Sequence, residues 1–333
     1  MKTYIRLTLT IMYTCLIWIG CSNSVSPDED VNTSWVFVAN EGNFGASNGS
    51  VSMIDDYGNI TTIEEIGDVV QSIEVHNNKL IVLVNNSHKI KLYDISENGL
   101  SLPGIEKSTN NSSPREMVIV GEKIYFSNWK TNDVRVFNLY NYAIEDSIPV
   151  GENPEGLMTD GTDIWVANSG GNTVSKINIA THHVESITVG DGPQNLVLHN
   201  NNIYIARTYY DAAWNASHGA TKIGIDIEIK DYASGGGACG GSMLVYQDEV
   251  YRSFEGGIAR LKSDLSINQI SKMGDYDQNE VYHVQIINNN IWFTLTDFQA
   301  TNLVKVVDNS GNEIASYNVG IIPGDLAYWT KAD

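Results

Sequence analysis

Val150-Gly151-Glu152-Asn153-Pro154-Glu155-Gly156-Leu157, a Thr159-Asp160-Gly161-Thr162-Asp163 turn, Ile164-Trp165-Val166-Ala167-Asn168, then Thr173 to Ile179 and Val184 to Val189, form the stretch that decides the fold. Alternating β-branched runs separated by Asp, Asn and Gly turns read as four antiparallel strands joined by hairpins. At Val189-Gly190-Asp191-Gly192-Pro193-Gln194-Asn195-Leu196 the pattern starts again. Working outward, the second strand of this unit has counterparts starting at Val36, Leu80, Ile124, Ile203, Val250 and Ile291. Successive starts, with Ile164 among them, lie 44, 44, 40, 39, 47 and 41 residues apart. A period of that length made of strands and turns predicts a β-propeller, in which each four-stranded blade buries its faces only against its neighbours.

The ends of the pattern predict how the ring closes. The segment from Trp35 begins with a second strand and lacks a first, whereas Val319-Gly320-Ile321-Ile322-Pro323-Gly324-Asp325-Leu326 repeats the V-G-x-x-P lead-in with no second strand after it. Pro323 to Trp329 is therefore expected to supply the innermost strand of the Trp35 blade. That gives an all-β, seven-bladed propeller over residues 35–333, closed by its C-terminal strand and without an open edge.

The chain of 333 residues carries 20 basic and 40 acidic side chains. Loss of residues 1–20 would leave 18 basic against 40 acidic, about −22. Such a surface repels phosphate backbones and argues against nucleic acid as a partner. Lys2 and Arg6 ahead of the apolar run Leu7 to Ile19 fit an export signal, too short for a membrane span. The run ends in Trp18-Ile19-Gly20-Cys21, which resembles a bacterial lipobox, with Trp in place of the usual Leu. Residues 1–20 are read as a lipoprotein signal peptide, Cys21 as the lipidated residue, and residues 21–34, rich in Ser, Asn, Asp and Glu, as a flexible tether. By analogy with bacterial lipoproteins, Ser after Cys21 points to the outer membrane, at the cell surface or its periplasmic face, with the lipid as the only membrane attachment. Cys239 alone remains in the domain, so no disulfide framework is expected.

In a propeller the loops leading into the innermost strands share one face with the loops joining second to third strands. Aligned on second strands, Ser72, Glu116, Gly156, Asn195, Ser242 and His283 occupy one equivalent position, Asp325 joins them through its V-G-x-x-P-x-x-L spacing, and each is followed by an apolar residue. They predict a polar ring at the channel mouth, composed either of solvated turn residues or of ligand contacts. On the same face Trp129 and Phe298 stand in short loops. In the fifth blade Arg207-Thr208-Tyr209-Tyr210-Asp211-Ala212-Ala213-Trp214-Asn215-Ala216-Ser217-His218-Gly219 reads as an extended loop before a strand resumes at Thr221. The Gly-rich run Ser234 to Gly241 arrives beside it. Candidate ligand-binding residues are thus Trp129, Arg207, Tyr209, Tyr210, Trp214, His218, Glu116, Asn195, His283, Asp325 and Phe298. The other reading of Tyr209, Tyr210 and Trp214 is a plug in the channel. No catalytic residue, metal site or cofactor is assigned. The chain has no G-x-S-x-G, H-E-x-x-H or C-x-x-C, and Asp275 to Glu280 lacks the Gly and distal Glu of a Ca²⁺ loop.

The V-G-x-x-P lead-in and the I-W-V-A-N second strand resemble YncE-like, YVTN-type propellers. Trp35 to Gly45, Asn48 to Asp55 and Val84 to Ser87 more narrowly resemble surface propeller lipoproteins of Bacteroidetes-type bacteria. That group includes lipoproteins that capture vitamin B12 and pass it to a TonB-dependent outer-membrane transporter. The resemblance implies a non-enzymatic envelope protein that binds a large ligand, a corrinoid first among candidates. Two further functions stand beside it: a protein-interaction scaffold, and a lactonase-like or lyase-like enzyme with Glu116 and His283 as acid and base.

Overall fold

The computed structural model describes residues 33–232, 241–299 and 302–331. The signal segment, Cys21 and most of the Gly-rich run with Cys239 lie outside these residues. Every regular element described is a β-strand, and the strands form seven antiparallel sheets. Each sheet is one blade, numbered here from the blade that contains Trp35. In blade two the third strand, Lys89–Ser96, pairs with both Gly99–Leu100 and Ile105–Ser108, making a five-stranded variant.

Closure follows the expected route. Ser34–Asn40 pairs with Pro323–Thr330 from Ser34↔Thr330 through Asn40↔Pro323, so the two ends of the domain share blade one. The chain comes together through seven apolar seams, one between each pair of neighbouring blades. Trp35, Phe37 and Ala39 pack toward blade two with Ile73, Leu80 and Val82, while Val36 and Val38 pack toward blade seven with Trp292, Val304 and Leu326. Side chains alternate across a strand, so one run serves two seams. That is why the second strands read as almost uninterrupted hydrophobic runs. Trp165 and Trp292 are core residues, and Trp292 stacks on Tyr317 at 6.0 Å.

The V-G lead-in has a steric reason. A Cβ on Gly151 would come within 2.5 Å of the Asn168 side chain that ends the second strand of the same blade. In blade five the Asn position is Arg207, and a Cβ on Gly190, whose φ is +86°, would meet its guanidinium at 2.7 Å.

One expectation is corrected here. The fifth-blade segment is a β-hairpin and not an extended loop: strands Asn202–Tyr210 and Ala216–Ile223 stay paired through Thr208↔His218, Tyr209↔Ser217 and Tyr210↔Ala216. The Asp211 carboxylate closes the turn by accepting hydrogen bonds from the amides of Ala213 (2.8 Å) and Asn215 (2.9 Å) and from the Asn215 side chain (2.8 Å). Thr-Tyr-Tyr continues the strand because β-branched and aromatic residues suit it, and an Asp–Asn turn returns it.

Candidate ligand-binding site at the channel mouth

The innermost strands carry a repeated irregularity that builds the site. In six blades two consecutive residues oppose a single residue of the second strand: Gln71 and Ser72, Arg115 and Glu116, Glu155 and Gly156, Gln194 and Asn195, Tyr282 and His283, Gly324 and Asp325. These are β-bulges, which bend a strand and re-aim its side chains. Hydroxyls of the second strands take up the freed amides, as in Glu116 N–H to Ser127 Oγ (3.1 Å) and His283 N–H to Thr294 Oγ1 (3.0 Å), and Ser242 N–H of blade six makes the equivalent bond to Ser253 Oγ (2.8 Å). The bulges create two tiers. The outer tier, Gln71, Arg115, Glu155, Gln194 and Tyr282, was not anticipated from the sequence, because strict alternation sends a residue adjacent to the ring to the opposite face.

Four of these outer residues line an open cavity of about 1060 Å³, all but Gln71. Its wall is completed by Trp129 of blade three, the Ser169–Asn172 loop of blade four, Asp191 and Gly192, and Thr208, Tyr209, Tyr210 and Trp214 of the fifth-blade hairpin. Trp214 is 81% exposed and lies 6.0 Å from the Tyr210 ring. At the base Arg115 holds Glu155 through Nε (3.2 Å to each carboxylate oxygen) and Nη2 (2.6 Å), and Nη1 donates to Gln71. Its guanidinium lies 3.9 Å from the Trp129 ring centroid. Glu41, from the second-to-third loop of blade one, accepts a hydrogen bond from Tyr282 (2.8 Å). It fills the space left by Gly324, where a Cβ would stand 2.9 Å from Glu41 Oε1.

The inner tier is the ring read from the sequence, and much of it serves the seams. Asn195 accepts the Met243 amide (2.8 Å), Ser242 the Val284 amide (3.0 Å) and Asp325 the Ile73 amide (2.8 Å), each on the following blade. His283, Asp325, Ser72 and Glu116 occupy four consecutive positions around the ring, with His283 Nε2 3.7 Å from Asp325 Oδ1.

Of the other candidates, Arg207 is 2% exposed and lies beneath the wall, bonded to Asp231 and to the Asp191 carbonyl (3.2 Å). His218, half-buried on the hairpin, pairs with Thr208 Oγ1 (3.0 Å), and burial together with the Arg252 charge pushes it down to about 4. Phe298 meets the cavity only through Tyr282, edge-on at 5.7 Å. Among the described residues no cluster of three or more His, Cys, Asp or Glu is arranged to hold a metal ion.

The channel is short of positive charge. Burial, then the Asp325 and Glu155 carboxylates, push Glu116 well above the usual carboxylate range against the pull of Arg115. Burial also raises Asp325 and Glu41, eased by His283 for the first and by the Tyr282 hydrogen bond for the second. For Arg115, burial opposes the charge, but Glu155, with Glu41 and Glu116 near by, holds the guanidinium above its ordinary value.

Desolvation along the innermost strand and the neighbouring Asp325 push Glu74 up to about 7, although its side chain is exposed. Its folded-state value exceeds its unfolded one, so between the ordinary carboxylate value and about 7 the native chain binds the extra proton. Stability contributed by that proton falls as pH rises through this window. Glu74→Gln is expected to raise Tm near pH 8 by on the order of a degree or two, discounted for solvent contact, and to leave it unchanged near pH 4. Thermal melts across that range check the slope.

No family model and no curated protein matches the sequence. Solved structures do. The periplasmic gluconolactonase PpgL of Pseudomonas aeruginosa superposes with a TM-score of 0.65 at 12% identity, over 89% of this chain and 99% of that one. AztD from Citrobacter koseri, in its apo form, gives 0.61 at 11%, over 91% and 100%. A functionally unknown protein from Desulfotomaculum acetoxidans gives 0.67 at 14%, over 90% and 99%. At these identities the likeness is one of fold, and it agrees with the blade count: this chain is a seven-bladed β-propeller.

Proposed function

We propose that this propeller binds a large, flat, partly aromatic ligand at its mouth without transforming it. A corrinoid is the first candidate, and an outer-membrane TonB-dependent transporter the recipient. The observation that carries the reading is the cavity: about 1060 Å³ with Trp129, Tyr209, Tyr210, Trp214 and Tyr282 in its wall. That volume stands at the upper end of ordinary single-ligand pockets, and the aromatic side chains offer broad apolar faces with polar tips. Lipidation at Cys21 and residence in the outer membrane complete the proposal, since a tethered binder concentrates ligand near a transporter. Calorimetric titration of the purified protein with cobalamin, cobinamide and haem tests it. At least one is expected to bind, and Trp214→Ala is expected to weaken binding roughly 10-fold or more, as for a central aromatic anchor. No binding to any of the three would retire the reading in favour of a protein-docking scaffold.

One observation favours an enzyme instead. His283, Asp325 and Glu116 stand together with carboxyl groups held above their usual range, as acid–base chemistry near neutrality requires. PpgL, a gluconolactonase, shares the fold. Lactone hydrolysis lost in both Glu116→Gln and His283→Ala would establish that alternative.

A further inference from the structure

We infer that the mouth cavity selects its ligand by sign of charge, accepting a cationic planar ligand and turning away an anionic one of the same shape; this rests on the binding reading above. The lining residues that carry formal charge near neutrality are Arg115, Glu155 and Asp191. Arg115 is committed: Nε and Nη2 hold Glu155, Nη1 holds Gln71, and one face of the guanidinium is covered by Trp129. Behind it Glu41 and Glu116 add carboxylates to the same neck, with Glu41 anchored by Tyr282. Of the other cations near the wall, Arg207 is buried and paired with Asp231, Arg252 is buried against the Gly219 carbonyl, and Lys130 donates to Asn111 (2.8 Å). An anionic ligand would therefore meet one guanidinium already neutralised by Glu155, the Asp191 carboxylate, and behind them buried carboxyls that a further negative charge would oppose ionising, in a site where charge is less screened than in bulk water.

The aromatic wall acts in the same direction. Ring faces attract cations and repel anions, and two rings of this wall already hold guanidinium groups: Arg115 at 3.9 Å from Trp129 and Arg207 at 5.7 Å from Tyr209. Tyr210 and Trp214 extend the same kind of surface over the opening. Among the described lining residues the one cation, Arg115, is taken up by Glu155 and Gln71, so the phosphate group of a sugar-phosphate lactone meets no open cation there.

Two porphyrins of one shape and opposite charge, the tetracationic N-methylpyridyl and the tetra-anionic sulfonatophenyl derivatives, test the inference by fluorescence titration at about 0.15 M salt, where surface charges are screened beyond roughly 8 Å. The cationic porphyrin is expected to bind about 30-fold tighter or more, with Trp214→Ala weakening it. Glu41→Gln combined with Asp191→Asn is expected to narrow the preference by roughly 5-fold or more, while Glu122→Gln on the opposite face leaves it intact. Equal or tighter binding of the anionic porphyrin at the mouth would overturn charge selection and leave the binding reading standing. A preference untouched by the Glu41 and Asp191 changes would also overturn it, because the whole acidic surface would then be the cause. If neither porphyrin binds, charge selection falls, and the binding reading falls with it where cobalamin, cobinamide and haem also fail to bind.

Discussion

Deleting residues 321–333 is expected to leave a chain with no cooperative unfolding transition. The deletion removes the innermost strand of blade one, paired from Ser34↔Thr330 to Asn40↔Pro323. It also takes Leu326, Ala327 and Trp329 out of two seams. Burial of each large apolar side chain contributes about 1.5–3 kcal/mol, and the whole domain is expected to be stable by only about 5–15 kcal/mol. The unpaired edge of Ser34–Asn40 and the loss of the Asp325 bond to the Ile73 amide add to the deficit, since both hold the closing seam. Circular dichroism melts and gel filtration decide the matter. A monomeric truncated chain melting cooperatively within a few degrees of the intact one would show that six complete blades suffice.

Arg115→Met should destabilise the domain by about 3–5 kcal/mol, the range for removing one partner of a buried ion pair. Arg115 and Glu155 side chains are 17% and 12% exposed, and the substitution leaves Glu155 beside Glu41 and Glu116 without the cation that serves all three. The pH dependence has a definite sign. Without Arg115 the folded-state values of Glu41 and Glu116 rise further above their unfolded values, so the native state binds more protons than the unfolded chain across the acid-to-neutral range, and stability falls as pH rises through it. The defect is therefore largest near pH 8 and shrinks toward pH 5. Urea denaturation of wild type, Arg115→Met, Glu155→Gln and the double variant at both pH values measures the coupling. Double-variant stability equal to the sum of the single losses would mean that the pair does not act as a unit.

The blade architecture was legible because its cause is local. Each second strand must bury both faces, so Ile164 to Asn168 and its counterparts appear as apolar runs, and each hairpin needs its own Asp, Asn or Gly turn. The ring position was legible too, since Ser72, Glu116, Asn195 and His283 keep a constant distance from those runs and Asp325 keeps the V-G-x-x-P-x-x-L spacing. The placement of its side chains was not: Asn195, Ser242 and Asp325 accept amides from neighbouring blades. The fifth-blade aromatics were noticed as an irregularity, but a strand that simply runs longer than its counterparts looks like an interruption when a fixed repeat length is assumed.

Short-range alternation and turn chemistry thus dictate the number of blades, the strand that closes the ring and the face on which irregular aromatics gather. Which polar groups meet at the mouth depends on how the folded blades are arranged. The bulges turn Arg115, Glu155 and Tyr282 toward the opening against simple alternation. Ring closure joins Glu41 to Tyr282 across 241 residues and Ile73 to Asp325 across 252. Contacts of that range come from the geometry of seven packed seams, which no local pattern of residues encodes.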